Sequence, residues 1–342
     1  MDLLRHSLDD RKFARRGRQI AFIEPDWLFS GINISKLSEM KDSIRPLGPT
    51  LSAYVVLMAV LRSGFAVALK VGFAQAPPLR TGWMSTVVGI VTTVTWALTV
   101  KADLRVRRGE WFPLLLVGSL FAMQHGLINL GIQRTNASHG VVLLSSYPIW
   151  VASLAHFTVP GDSLTWLRTI GVLVAYSGVC IVFGQSLSAG MDVIAGDLLL
   201  ALAMALMAVR YVYLARSAKI IDPAKLIIAH LFIQAPVLLA ASLVFEGDPF
   251  RWSKELVFAA LYVGIIGFGL LLISIAYLLR WYRPSSISLL GMGQPIFGII
   301  LSWLFLDEGP GILLIAGAAL VAAGAWLAEY SGQKRKTGQE SS

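Results

Sequence analysis

The chain has 342 residues, is 56% hydrophobic and 14% charged, and has a mean hydropathy of +0.69, far more apolar than soluble domains at about half apolar and a quarter charged. This excludes a water-soluble domain and predicts an integral membrane protein. The lone cysteine, Cys180, excludes a disulfide framework and a cysteine-rich metal site, and the net charge of +9 suggests nucleic-acid binding only until its placement is considered.

Residues 1–52 form a polar, mixed-charge extension. No apolar run follows its basic residues, so a cleaved secretory signal is not expected. The segment reads as cytoplasmic, with the basic run at 11–18 either solvated or against anionic headgroups. A chain started at Met40 would instead enter the membrane through a short polar lead. Apolar segments long enough to cross about 30 Å of hydrocarbon at 1.5 Å per residue follow at 54–73, 82–100, 111–132, 138–158 and 165–184. They make up a first repeat at 53–184. A linker at 185–195 leads to a second repeat at 196–330, with spans at 196–215, 226–245, 256–279, 285–306 and 310–329, and 331–342 is a cytoplasmic tail.

With both termini inside, 21 of the 29 Lys and Arg residues fall in inner segments and 4 in outer loops. Basic loops stay cytoplasmic, so this asymmetry sets the orientation and accounts for the basic excess without nucleic acid. The remaining four, Arg62, Lys70, Arg168 and Arg210, lie within spans.

Residues 285–306 align with 138–159 at an offset of 147, pairing Ser138 with Ser285, Pro148 with Pro295 and Leu154 with Leu301. After a one-residue slip, an offset of 146 pairs Asp162 with Glu308, Gly171 with Gly317, Gly178 with Gly324 and Lys70 with Arg216. The period covers five spans, an odd number, so the second half must be upside down relative to the first. The predicted fold class is therefore all-α integral membrane, with ten transmembrane helices as two inverted five-helix repeats, the arrangement that alternating access requires.

The run Gly291-Met292-Gly293-Gln294-Pro295-Ile296, the turn Leu306-Asp307-Glu308 and the small-residue helix ending at Gly324-Ala325 resemble the EamA-type ten-helix branch of the drug/metabolite transporter superfamily. Tyr147-Pro148-Ile149, Asp162, Gly171 and Gly178 echo that pattern in the first half. Arg62-Ser63 stands where that family usually has a Trp-Gly pair. The resemblance implies a carrier of small metabolites that works without a cofactor, with both termini cytoplasmic.

Arg62 lies near the middle of the first span, where an unpaired charge costs about 2.5–3.5 kcal/mol and is usually kept to face a cavity or a substrate. Arg210 lies in the inner half of the sixth span, with headgroup contact as its alternative role. Two guanidiniums at one cavity would favour a carboxylate or phosphate. Gly118, Ala122, His125 and Asn129 share a helical face that lines either a cavity or a close helix contact. Tyr147 and Gln294 offer polar tips beside the bend-forming Pro148 and Pro295, which are the expected hinges. Tyr211, Tyr213, Tyr277 and Trp281 either stack on cargo or belong to the interfacial belt, and His230 and Gln234 are weaker candidates.

None of the twenty acids lies mid-span, which disfavours proton-for-cation exchange. No zinc, nucleophile-elbow or phosphate-loop motif occurs, and this disfavours an intramembrane enzyme. The small-residue faces Gly171, Ala175, Gly178 and Gly317, Gly324, Ala328 keep a scaffold or homodimer reading open. The expectation is a secondary carrier of a small amino-acid-like anion or zwitterion, with export expected ahead of the alternative, uptake of a metabolite or vitamin. Its candidate binding residues are Arg62, His125, Asn129, Tyr147, Arg210, Tyr213 and Gln294, with no metal and no cofactor.

Overall fold

A computed structural model describes residues 49–158, 166–247, 251–281 and 294–340, and these are helical with short connections and no strand. Helix α1 is Pro49–Phe73, α2 Pro78–Thr99 and α3 Trp111–Arg134; α4 Ala137–Ser145 and α5 Tyr147–Thr158 share one span. After α6 Trp166–Ala189 come α7 Met191–Ser217 and α8 Pro223–Phe245. The next span joins α9 Lys254–Leu261, a π-helical stretch Tyr262–Leu271 and α10 Leu272–Trp281, and α11 Gln294–Leu306 and α12 Ile312–Glu340 follow. Seven runs among the described residues are long and apolar enough to cross a membrane. The first half of the expected ninth span, including Gly291-Met292-Gly293, and the polar extension up to residue 48 lie outside the described residues, as does Asp162.

Local chemistry places the boundaries. Proline opens α2 and α8, where its missing N–H is one the helix start leaves unbonded anyway. Asp222 caps α8 by accepting the Ala224 amide at 2.8 Å. The linker expected over 185–195 shrinks to Gly190, because α6 runs to Ala189 and α7 begins at Met191. Gly190 sits at φ 109°, a backbone conformation that residues with a Cβ rarely adopt. The expected tail likewise continues α12 as helix as far as Glu340. The fourth span breaks at Ser146, whose amide bonds Leu143 O at 3.1 Å. Two residues later Pro148 has no N–H to offer the Leu144 carbonyl.

Packing repeats the internal symmetry of the sequence. Helix α7 packs along α3 as α1 packs along the α9–α10 span, and α8 packs on α3 as α2 packs on that later span. Helix α7 also packs on α4 and α5 as α1 packs on α11. The pairs α2–α8, α4–α11 and α6–α12 map onto themselves when the halves are exchanged.

In the α6–α12 pair the small-residue faces meet each other within one chain. A Cβ on Gly178 would stand 2.9 Å from Leu320 Cβ and 2.5 Å from the Gly317 carbonyl, and one on Gly324 would run into the backbone of Gly171 and Ala175. The Gly178–Gly317 and Gly324–Gly171 contacts are two copies of one contact under the 146-residue repeat. These glycines are thus occupied by close helix packing inside the chain, and Ala328 lies among residues whose side chains are not described.

A candidate substrate cavity

Six spans converge on one cavity of about 60 Å³, the fourth contributing Leu144 of α4. Helix α3 presents Phe121, Gln124, His125 and Ile128, at spacings of three, one and three, which a 3.6-residue period brings to one face. Helix α1 supplies Arg62 and Phe65, α7 Arg210, and α11 Gln294. The far wall comes from the π-helical stretch and α10, with Gly267, Phe268, Leu271 and Leu272. Short π-helical stretches often mark functional sites. This one is packed by glycine, since a Cβ on Gly264 would lie 2.8 Å from the Ser85 carbonyl and one on Gly89 2.8 Å from Phe268 Cβ. The cavity has room for a few waters, well below the roughly 300 Å³ at the small end of ligand pockets. Cargo of amino-acid size must open it.

Two guanidiniums dominate the electrostatics. Arg62 stacks on Tyr147 at 4.7 Å and donates from Nη2 to the weak acceptor Met207 Sδ at 3.6 Å. Arg210, only 3% exposed, donates from Nε to Gln124 Oε1 at 2.8 Å and lies over Phe121 at 4.8 Å and Tyr211 at 5.2 Å. Its Nη1 has no hydrogen-bond partner among the described residues. No described carboxylate lies within salt-bridge distance of either guanidinium. A cation over an aromatic ring gains about 2 kcal/mol when desolvated, which offsets only part of the cost of burying the charge. Gln294 is 2% exposed and its Oε1 is likewise unpartnered.

The structure thus gathers Arg62, His125, Arg210 and Gln294 on one wall system, with Tyr147 beneath Arg62. Asn129 is turned elsewhere, its side-chain amide lying where a Cβ on Gly82 of α2 would go. Gly118 of the same expected stripe meets Ile233 of α8. Gly118 and Asn129 therefore pack on α8 and α2, while His125 of the same stripe turns to the cavity beside Phe121, Gln124 and Ile128. Tyr213 is partly buried against the core and does not line the cavity. Pro148 follows the break at Ser146, and Pro295 lies in the first turn of α11.

Tyr211 is fully buried, its ring 5.8 Å from that of Tyr147, which is not a belt position. Tyr277 packs edge-on against Trp96, and the Trp281 side chain is outside the described set. His230 is fully buried 5.0 Å from Phe121, and Gln234 donates to Thr86 Oγ1 at 2.9 Å. Sequence reasoning missed Phe65, Phe121, Gln124 and Phe268. The i, i+3, i+4, i+7 spacing through His125 was the available signal for the two residues on α3. Among the described residues no cluster of His, Cys, Asp and Glu could hold a metal ion.

Charge serves a different purpose at one end of the bundle. Lys70 Nζ donates to the carbonyls of Ile132, Gln133 and Thr135 at 2.9, 3.0 and 2.5 Å, capping the C-terminus of α3. Glu308 accepts the amides of Ala137 and Ser138 at 3.0 and 2.8 Å and the Ser138 hydroxyl at 2.9 Å, capping the N-terminus of α4. An ammonium on terminal carbonyls and a carboxylate on terminal amides both suit the helix dipole. Glu246 does the same for α2 through the amides of Leu79 and Arg80. At the other end Lys225 bonds Glu110 and the Arg105 carbonyl.

Comparison with known proteins agrees with this architecture. The family described as "EamA-like transporter family" matches residues 51–184 and again 194–330. The uncharacterized transporter YoaV of Bacillus subtilis (strain 168) is 24% identical over 273 residues, covering 79% of this chain and 93% of that protein. A WAT1-related chloroplastic protein of Arabidopsis thaliana is 28% identical over 235 residues, 64% of this chain and 55% of its own length. A solved crystal structure superposes with a TM-score of 0.65 at 19% identity, covering 84% of this chain and 99% of the other, a likeness of fold alone.

Proposed function

Because the chain belongs to the EamA-like transporter family, whose fold is a ten-helix membrane repeat, and is a multi-pass membrane transporter, we propose that it is a secondary carrier exporting a small amino-acid-like anion or zwitterion across the cell inner membrane. The observation that carries this reading is the pair of guanidiniums, Arg210 buried and Arg62 partly buried, at one cavity without a carboxylate among the described residues. Buried charge is retained at a cost, and a transient counter-ion is the function that recovers it. Both termini are cytoplasmic, on the placement of Lys and Arg, which makes the end latched by Lys70 and Glu308 the external one. Transport proceeds by rocking of the two halves. The partners are the small-molecule cargo and the lipid bilayer, with no nucleic acid.

The test compares cells overexpressing the chain with cells carrying Arg62→Ala at matched membrane levels, by untargeted mass spectrometry of medium and cytosol. An Arg62-dependent compound accumulating in the medium is the expected result. Accumulation in the cytosol would reverse the direction, and no Arg62-dependent compound in either compartment would sink the reading.

A further inference from the structure

Resting on that reading, the cavity narrows the cargo further. Its fixed charge is one-sided, since Arg62 and Arg210 line it and no described carboxylate lies in salt-bridge range of either. An α-ammonium entering beside two guanidiniums would meet like charge at short range, where a low-dielectric wall magnifies repulsion. It would also find only neutral acceptors, one of them the His125 Nε2 left over when Nδ1 bonds the Phe121 carbonyl. Gln124 Oε1 already takes the Arg210 Nε–H, and the unpartnered Gln294 Oε1 is a single neutral carbonyl able to accept from a hydroxyl or an amide N–H.

The donors are also counted. The Arg210 Nη1 group has no partner among the described residues, and Arg62 is held by a thioether, the Tyr147 ring face and the Tyr211 hydroxyl rather than by a carboxylate. Two guanidiniums keep donors enough for either oxyanion, and the cavity of about 60 Å³ favours the smaller, planar carboxylate over a tetrahedral phosphate ester. The remaining wall is apolar, with Phe65 and Phe121 each edge-to-face against Phe268, a surface that accepts another planar or branched apolar body.

We propose that the cargo is an organic monocarboxylate with an apolar, preferably aromatic body and a neutral hydroxyl or amide in place of the ammonium group. Arg62 and Arg210 hold the carboxylate, Gln294 Oε1 accepts from the neutral donor, and the phenylalanine wall takes the body. A 2-hydroxy acid or an N-acylated amino acid meets this description, whereas a zwitterion and an amine do not.

The full chain, purified and reconstituted into sealed liposomes, is assayed for uptake of three labelled probes of matched shape: 3-phenyllactate, phenylalanine and phenethylamine, with phenyl phosphate as a competitor. Phenyllactate and phenylalanine differ only in hydroxyl against ammonium. Phenyllactate should enter at least about tenfold faster than phenylalanine (about 1.4 kcal/mol), phenethylamine should not enter, and phenyl phosphate should compete poorly. Gln294→Glu, which adds the missing counter-charge, should shift preference toward phenylalanine, with elution as a monodisperse peak checking that the variant is folded. Phenylalanine or phenethylamine entering as fast as phenyllactate, or phenyl phosphate competing best, would overturn the proposal and leave the carrier reading intact. If no probe enters, the proposal falls as well. Liposomes loaded with a cell metabolite extract then decide the broader question, because exchange of any compound keeps the carrier reading and exchange of none removes it.

Discussion

Both the Lys70–Glu308 end and the Arg62–Arg210 centre are built from charge partly or wholly withdrawn from water, yet they use it in opposite ways. At the end, the ammonium of Lys70 takes three carbonyls and the carboxylate of Glu308 two amides and a hydroxyl, so every contact goes to helix termini of the same chain. At the centre, Arg62 and Arg210 contact ring faces, a sulfur and one amide oxygen. Charge bonded to backbone fixes helices in place, whereas charge left beside rings is held in reserve for something that arrives. The comparison separates the residues expected to govern stability from those expected to govern transport.

The strongest attempt to break it is Arg210→Met. Transport should fall about 100-fold, equivalent to about 2.7 kcal/mol, while the thermal unfolding midpoint in detergent stays level or rises, since an unpaired buried charge is removed and volume is kept. A large drop in midpoint would make Arg210 a structural residue after all. Next is Glu308→Ala, which strands two amides and a hydroxyl and should cost about 1–3 kcal/mol. That loss should appear as a lower unfolding midpoint with equilibrium affinity for cargo within about twofold. Affinity falling as steeply as stability would erase the distinction between end and centre. The smallest expected effect is at Asn129→Ala, where the side chain packs against Gly82. KM should change less than about twofold, and a larger shift would place Asn129 back on the cavity wall.

Architecture was legible because hydropathy and repetition are written along the chain. The pairing of Gly171 with Gly317 and Gly178 with Gly324 by sequence offset reappears as two copies of one helix contact. Arg62, His125, Arg210 and Gln294 could be picked out because a polar group in an apolar run is conspicuous. Phe121 and Phe268 could not, since an aromatic residue on a lipid face and one on a cavity wall look alike in sequence. The choice between the Asn129 stripe and the Phe121 stripe on α3 turns on about 100° of helix rotation, which neighbouring helices set rather than α3 itself. The π-helical stretch over Tyr262–Leu271 was also hidden, because its glycines signal close approach but not a change in hydrogen-bond register.

The α6–α12 seam has a mechanical consequence. A contact that maps onto itself when the halves trade places is the same contact whichever face of the membrane the cavity opens to. In the proposed rocking cycle the glycine-to-backbone approaches at Gly178–Gly317 and Gly324–Gly171 therefore need not be remade. Their tightness would then work as that of a bearing, with no clearance needed where nothing slides.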